Sequence, residues 1–345
     1  MTSSSAMPET STPLELPTAT HRKLTDVFTR EEVKLLCQRS DAMGFVAVGS
    51  TWGVIALCFA SMAWASGQSM LIAAPIFLLA AVVIAGRQLS LAILEHDAAH
   101  ASLFKAKWLN NRLADWLCAR PIWNDLLRYR AYHFVHHSKT ATPDDPDLCL
   151  TAGLPTTRGS LARKLARDLF GVTGAKFFLG RILMDLGLMR WTVTSEVVWI
   201  RQTRRSILLM PLTFLRNSGP AILMNGLMLA ALWAAGHPML YLMWVLAFIT
   251  PFPLFVRIRS FAEHAALEKT TDMFLNTRTT RAGFLARATV APLNVNYHLE
   301  HHVMAATPYF RLPQMHRMLR ERGLVAEPPG YLDVLKIMSS RAPAV

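Results

Sequence analysis

The sequence predicts an all-α integral membrane protein: four transmembrane helices arranged as two hairpins, with a cytoplasmic helical cap that carries most of the histidines. Three observations lead there. Met43 to Gly86 and Asn217 to Val256 contain no Asp, Glu, Lys or Arg. Each run is long enough for two spans of about 20 apolar residues and a tight turn, whereas a water-soluble core has no need of charge-free runs this long. Basic residues crowd between the runs (Lys105, Lys107, Arg112, Arg120, Arg128, Arg130), while the hairpin turns around Ser66 to Ser69 and Gly236 to Pro238 carry no Lys or Arg. By the positive-inside bias both turns face away from the cytoplasm, and both termini lie on the cytoplasmic side. Finally, nine of the twelve histidines fall in four short clusters beside the apolar runs.

Taken in order, residues 1–25 are rich in Ser, Thr and Pro and read as a disordered tail, without the basic and apolar regions of a signal peptide. One membrane domain follows over 26–325. Thr29-Arg-Glu-Glu32 is a capping box that opens a short helix. The spans are expected at about 43–65, 69–88, 219–236 and 239–257, the second continuing as helix into Glu95-His-Asp-Ala-Ala-His100. A further helix carries Tyr132 to His137 and is ended by Pro143 and Pro146. Residues 160–216 mix apolar and basic positions without a clean span, as amphipathic helices on a membrane surface do. Arg257 and Arg259 mark the exit of the last span, a short basic helix runs from His316 to Arg322, and 326–345 read as a C-terminal tail. The net charge of +13 fits an anionic lipid surface; no nucleic-acid-binding motif is present. Cys37, Cys58, Cys118 and Cys149 form no C-x-x-C pair and read as reduced, structural thiols.

The histidine clusters carry the chemistry. Asn294-Val-Asn-Tyr-His298-Leu-Glu-His301-His302 places imidazoles at i, i+3 and i+4, which share one helical face. His133, His136 and His137 repeat that spacing; His96 and His100 form an i, i+4 pair; His264 stands alone. Nine imidazoles are too many for one ion and suit two, with coordination positions left open as reactive sites require. An all-nitrogen set disfavours magnesium and calcium and leaves iron, copper or zinc, with iron favoured for an oxidation. No catalytic residue beyond these ligands is evident. Asp144, Asp145 and Asp147 read equally as residues that fix imidazoles through the second ring nitrogen or as a solvated turn; Glu263 and Glu300 read equally as such fixing residues or as solvated. Asn294 is read as reaching a metal-bound water, against the alternative of a helix cap. His21, His237 and His316 are isolated and read as non-ligands.

His96-x-x-x-His100, His133-x-x-His136-His137 and His298-x-x-His301-His302, with two apolar hairpins, resemble the three histidine boxes of the integral-membrane fatty acid desaturase and hydroxylase superfamily. His264 is similar to the additional histidine between the last span and the third box; Ser260 stands where some acyl-CoA desaturases have Asn. The third box is similar to those of acyl-lipid and sphingolipid desaturases. The resemblance implies two iron ions on the cytoplasmic side, O2 as co-substrate, a fatty acid or lipid acyl chain in a tunnel, and a separate electron donor, either ferredoxin or a haem carrier with its reductase. It implies a multi-pass protein, in the inner membrane if the source is bacterial. A lipid or carotenoid hydroxylase or ketolase would use the same site. From another class, a non-redox metal-binding membrane protein, such as a transporter, would need ionisable groups within the spans.

Overall fold

The computed structural model describes residues 24–191 and 196–340. The expected disorder of residues 1–25 therefore lies almost wholly outside the described residues, as does His21. The fold is helical; the only strands among the described residues are a short antiparallel hairpin, β1 (Met189–Trp191) and β2 (Val197–Trp199).

Thr29 opens α1 (Arg30–Leu36) with the expected capping box: its hydroxyl accepts from the Glu32 amide and the Glu32 carboxylate accepts from the Thr29 amide. Ser40 then caps α2 (Asp41–Ala65), which turns at Ser66 to Ser69 into α3 (Met70–Ala99). These two helices pack through a shared apolar core: Ala47, Ile55 and Met62 meet Ala80, Ile84 and Leu91 in it. Helix α3 does run on past its apolar part, ending at His100. Gly86, near where that part ends, lies so close to the segment at residue 288 that an added Cβ would overlap the Ala288 carbonyl.

The second pair differs from expectation at its start. Helix α7 (Arg204–Ala234) begins fifteen residues before 219 and takes in 204–216, part of the stretch read as surface helix. Its 31 residues would measure about 46 Å at 1.5 Å per residue, against a hydrocarbon layer of about 30 Å. Arg204, Arg205 and Arg216 interrupt the hydropathy without interrupting the helix, so the helix is longer than the charge-free run within it. The rest of 160–216 forms α5 (Arg158–Leu169), α6 (Val172–Asp185) and the β-hairpin. The last candidate span, Pro238 to His264, contains α8 (Tyr241–Ile249) and α9 (Pro251–His264). They are separated at Thr250 because Pro251 has no amide to donate and its ring pushes the preceding residue out of the helical region.

Among the described residues, four helical stretches are thus long and apolar enough to cross a membrane. They carry rows of exposed large apolar side chains, including Leu57, Trp64, Leu71, Leu78, Leu227 and Trp233. Water would penalise such faces; hydrocarbon does not. The C-terminal segment read as tail contains α12 (Tyr331–Met338), whose Val334 and Met338 are buried against Phe261, Ala262 and Ala265 of the α9 end. Between α9 and α12 lie α10 (His298–Val303) and the amphipathic α11 (Leu312–Glu321).

Candidate metal centre

Four elements bring the histidines together. His96 and His100 end α3. Asp125 caps α4 (Leu126–Lys139), which carries His133, His136 and His137; its carboxylate accepts from the Leu127 and Arg128 amides at 3.0 Å each. His264 ends α9, and α10 supplies His298, His301 and His302. Arg130 ties the first two elements together, donating to the carbonyls of Ala99 at 2.9 Å and Ala98 at 3.1 Å at the end of α3.

All nine sequence-selected histidines converge, in two groups. His96, His100, His133, His137 and His301 form one; His136, His264, His298 and His302 form the other; within each, the donor nitrogens lie within 4.8 Å of one another. The groups adjoin: the His137 and His302 rings stack with centroids 4.2 Å apart. His237 and His316 lie outside both groups.

Several contacts have the spacing expected of nitrogens that share a cation. His133 Nε2 and His301 Nε2 each lie 3.0 Å from His137 Nε2, and His264 Nε2 is 2.8 Å from His298 Nε2. The buried Nε2 atoms of His96, His100 and His302 have no hydrogen-bond partner among the described residues. Nitrogens bound to one first-row ion at about 2.1 Å sit roughly 3.0 Å apart when adjacent and about 4.2 Å when opposite. The donor set, its spacing and its unsatisfied nitrogens therefore fit a pair of transition-metal ions.

The surroundings keep the imidazoles neutral, as ligands must be. Burial pushes His133, His298, His301 and His302 well below the ordinary histidine value, with neighbouring imidazoles adding to the effect. Burial, with Arg130 and His136, brings His100 to about 4; burial, with His100 and His136, brings His137 to about 2. His136 moves the other way: burial opposes its charge, but the hydrogen bond to Asp145 and the nearby Asp147 and Glu263 outweigh it.

The candidate supporting residues separate clearly. Asp145 Oδ1 lies 2.8 Å from His136 Nδ1, and Asp147 Oδ2 lies 3.6 Å from the same nitrogen. Asp147 also accepts from the Tyr132 hydroxyl at 2.5 Å. Glu263 sits 3.4 Å from His298 Nδ1 while receiving Arg259 Nε at 2.6 Å. Asn294 is not brought to the histidines: its amide donates to the Tyr309 carbonyl at 3.2 Å, where it holds the loop before the third box. Ser260 donates to the Val256 carbonyl at 2.9 Å.

One support escaped sequence reading, and a second was left undecided by it. Asp97 Oδ1 is 2.9 Å from His96 Nδ1; consecutive helical residues do not normally face each other, so adjacency gave no signal. Glu300 is fully buried, and accepts from His316 Nδ1 at 2.6 Å and from the Thr279 hydroxyl. His316 thus anchors the helix that carries three of the nine histidines.

A cavity of about 170 Å³ reaches both groups, lined by His133, His136, His264 and His298 with Tyr129 and Tyr132. Through Leu150 and Val256 it adjoins an aromatic-walled cavity of about 280 Å³ between α3, α6, α8 and α9. Through Asp145, Thr151 and His264 it adjoins a more polar one of about 230 Å³, bordered by Glu268 and Lys269.

A polyhistidine site at the ends of long apolar helices defines a class of membrane protein whose polar chemistry is gathered beside its spans. Within that class the assignment is specific. The fatty acid desaturase family profile matches residues 69–331, most of the chain, and the protein belongs to that family. It is also similar to the dihydrorhizobitoxine desaturase of Bradyrhizobium elkanii, 28% identical over 315 residues that cover 89% of this chain and 82% of the relative.

Proposed function

We propose that the protein is an oxygen-dependent di-iron oxidoreductase that introduces a double bond into the acyl chain of a fatty acid or lipid. The observation that carries this reading is the pair of adjoining all-imidazole groups, five and four strong, in a chain of the fatty acid desaturase family. His96, His100, His133, His137 and His301 would hold one iron, and His136, His264, His298 and His302 the other. When bound, the irons supply oxygen activation and electron transfer, which no side chain in the cavity can.

The reaction balances as a four-electron reduction of O2. A –CH2–CH2– unit loses two hydrogens and becomes –CH=CH–. A separate donor, a ferredoxin or a haem carrier with its reductase, provides two electrons, two protons enter, and two waters leave. The chain's own residues do the rest. Asp145 and Asp97 hold Nδ1–H of His136 and His96, turning Nε2 toward the site. The apolar walls around Val256 and Leu150 exclude water. The cavity of about 170 Å³ beside the histidines would seat the reacting methylene pair. Under the positive-inside topology the site, both termini and the donor share the cytoplasmic face of a multi-pass, in bacteria inner, membrane.

The relative named for dihydrorhizobitoxine widens the range of substrates to test beyond common lipids. A hydroxylase or ketolase reading shares the site and differs only in product. The deciding experiment is a mass-spectrometric lipid profile of host membranes expressing the wild type or His301→Ala. Loss of two mass units of hydrogen that vanishes in the variant is expected. A gain of one oxygen moves the assignment to hydroxylase; a profile identical for both proteins, with iron present, overturns the enzyme reading.

A further inference from the structure

The polar groups that line the 170 Å³ cavity beside the histidines divide into those the fold satisfies and those it leaves over. Asp145 takes His136 Nδ1 at 2.8 Å and the backbone amides of Ala141 at 3.1 Å and Asp147 at 2.9 Å. Asp147 takes the Tyr132 hydroxyl at 2.5 Å, and Thr151 and Ser260 donate to the carbonyls of Leu148 and Val256. Arg259 is different. Its Nε donates to Glu263 at 2.6 Å, and that is the one hydrogen bond its guanidinium makes among the described residues. Four N–H groups on its two terminal nitrogens are left over, on a mostly buried side chain at the cavity wall. Tyr129 lines the same cavity, and its hydroxyl has no hydrogen-bond partner among the described residues; its ring is held by stacking on His133, with centroids 5.2 Å apart. A guanidinium does not shed its charge, so one held largely out of water with unused donors calls for an acceptor.

We propose that Arg259 and Tyr129 form a carboxylate-binding subsite, so that the enzyme takes a free carboxylic acid and oxidises it near its carboxyl end. This rests on the desaturase reading above. With Nε given to Glu263, the two terminal nitrogens remain as an end-on fork that matches the two oxygens of a carboxylate, which a lysine ammonium cannot reproduce. Glu263, one turn on in α9, holds the guanidinium by its other edge and fixes its direction. An esterified chain brings no charge to meet the fork, whereas a carboxylate does. Volume then sets where along the chain the reaction falls. At about 30 Å³ per water-sized group, the 170 Å³ cavity holds about five or six heavy atoms. The carboxylate uses about three of them, which leaves the next two or three carbons beside the histidines, so the oxidised bond lies within about the first four carbons. The remainder of the acid passes Leu150 and Val256 into the 280 Å³ cavity.

The test measures binding apart from turnover. The full chain in detergent, loaded with iron and without reductant, is titrated by calorimetry with hexanoate, methyl hexanoate and 1-hexanol. Hexanoate should bind at least about tenfold tighter than either neutral probe. Arg259→Lys keeps a charge beside Glu263 but loses the fork, and should weaken hexanoate about tenfold while leaving the neutral probes unchanged. Tyr129→Phe keeps the ring on His133 and leaves Glu263 paired, and should weaken hexanoate about three- to tenfold; it stands as the test if the lysine variant folds poorly. Iron per chain reports folding of both. Turnover of the acids that bind should show KM rising more than kcat falls in each variant, with the double bond placed by fragmentation next to the carboxyl end. No binding of hexanoate, equal binding of its methyl ester, or wild-type affinity in the folded variants, as carboxylate held by the irons alone would give, overturns the subsite. If hexanoate binds in the manner expected and no acid is desaturated, the subsite stands and the desaturase reading fails.

Discussion

At the scale of single residues, what matters is how each imidazole is aimed. A ligand's second nitrogen needs a partner to fix the tautomer, and here Asp97 and Asp145 provide one for His96 and His136. Replacing Asp145 by Ala should lower iron affinity or turnover by about 10- to 100-fold, with Asn, which keeps an acceptor oxygen, falling between. The same series at Asp97 should behave alike for the first group. Iron retained after graded chelation is the measurement; unchanged retention in both alanine variants would mean the carboxylates do not orient the ligands. Their two origins differ instructively. Asp145 follows the second box in a Pro-rich turn, which drew attention to it, whereas Asp97 was hidden by being a ligand's immediate neighbour. Asn294 drew attention by its spacing from His298, yet its left-handed backbone (φ 59°) turns its amide to Tyr309.

At the scale of elements, α4 is the least apolar of the ligand-bearing helices, and its start is secured by electrostatics. Asp125 caps it and pairs with Arg120 at 2.9 Å. Burial would raise the Asp125 pKa, but the backbone hydrogen bond from Arg128 and the Arg120 charge outweigh it, so the pKa is lowered. A lowered carboxyl pKa gives stability that is present above the unfolded value near 4 and lost as pH falls through the folded one. Asp125→Ala should therefore cost about 1 kcal/mol at neutral pH, and its difference from wild type should shrink below about pH 4. Thermal melts in detergent across that range check it; a gap that persists at the acid end would point to packing instead. Helix α7 shows the opposite balance. Three arginines interrupt its hydropathy, and the helix continues regardless, because backbone hydrogen bonding and the Thr203 cap are indifferent to composition.

At the scale of the whole molecule, the candidate metal centre joins elements far apart in the chain. The nine histidines come from α3, α4, α9 and α10, spread from His96 to His302. Without a cation, buried imidazole nitrogens remain unsatisfied, so metal binding and the closure of these elements are one equilibrium. Stripping iron should lower the melting temperature, and restoring ferrous iron at 100 times its dissociation constant should return about 2.7 kcal/mol per site. A melting temperature indifferent to metal would show that the cluster assembles by packing alone.

The sequence by itself determined that the chain is helical, that four stretches can cross a membrane, and that nine particular histidines belong together. Charge-free runs and the i, i+3, i+4 spacing are local patterns, and local patterns survive being read in one dimension. Only the tertiary structure decided how the nine divide into five and four, that His136 parts from its neighbours His133 and His137, that Asp97 and the His316–Glu300 pair support the site, and that Arg259 and Tyr129 line one cavity with the histidines. Each of these depends on which helix faces which across the bundle. That is settled by packing between residues far apart in the chain, as between His137 and His301, and no periodicity records it.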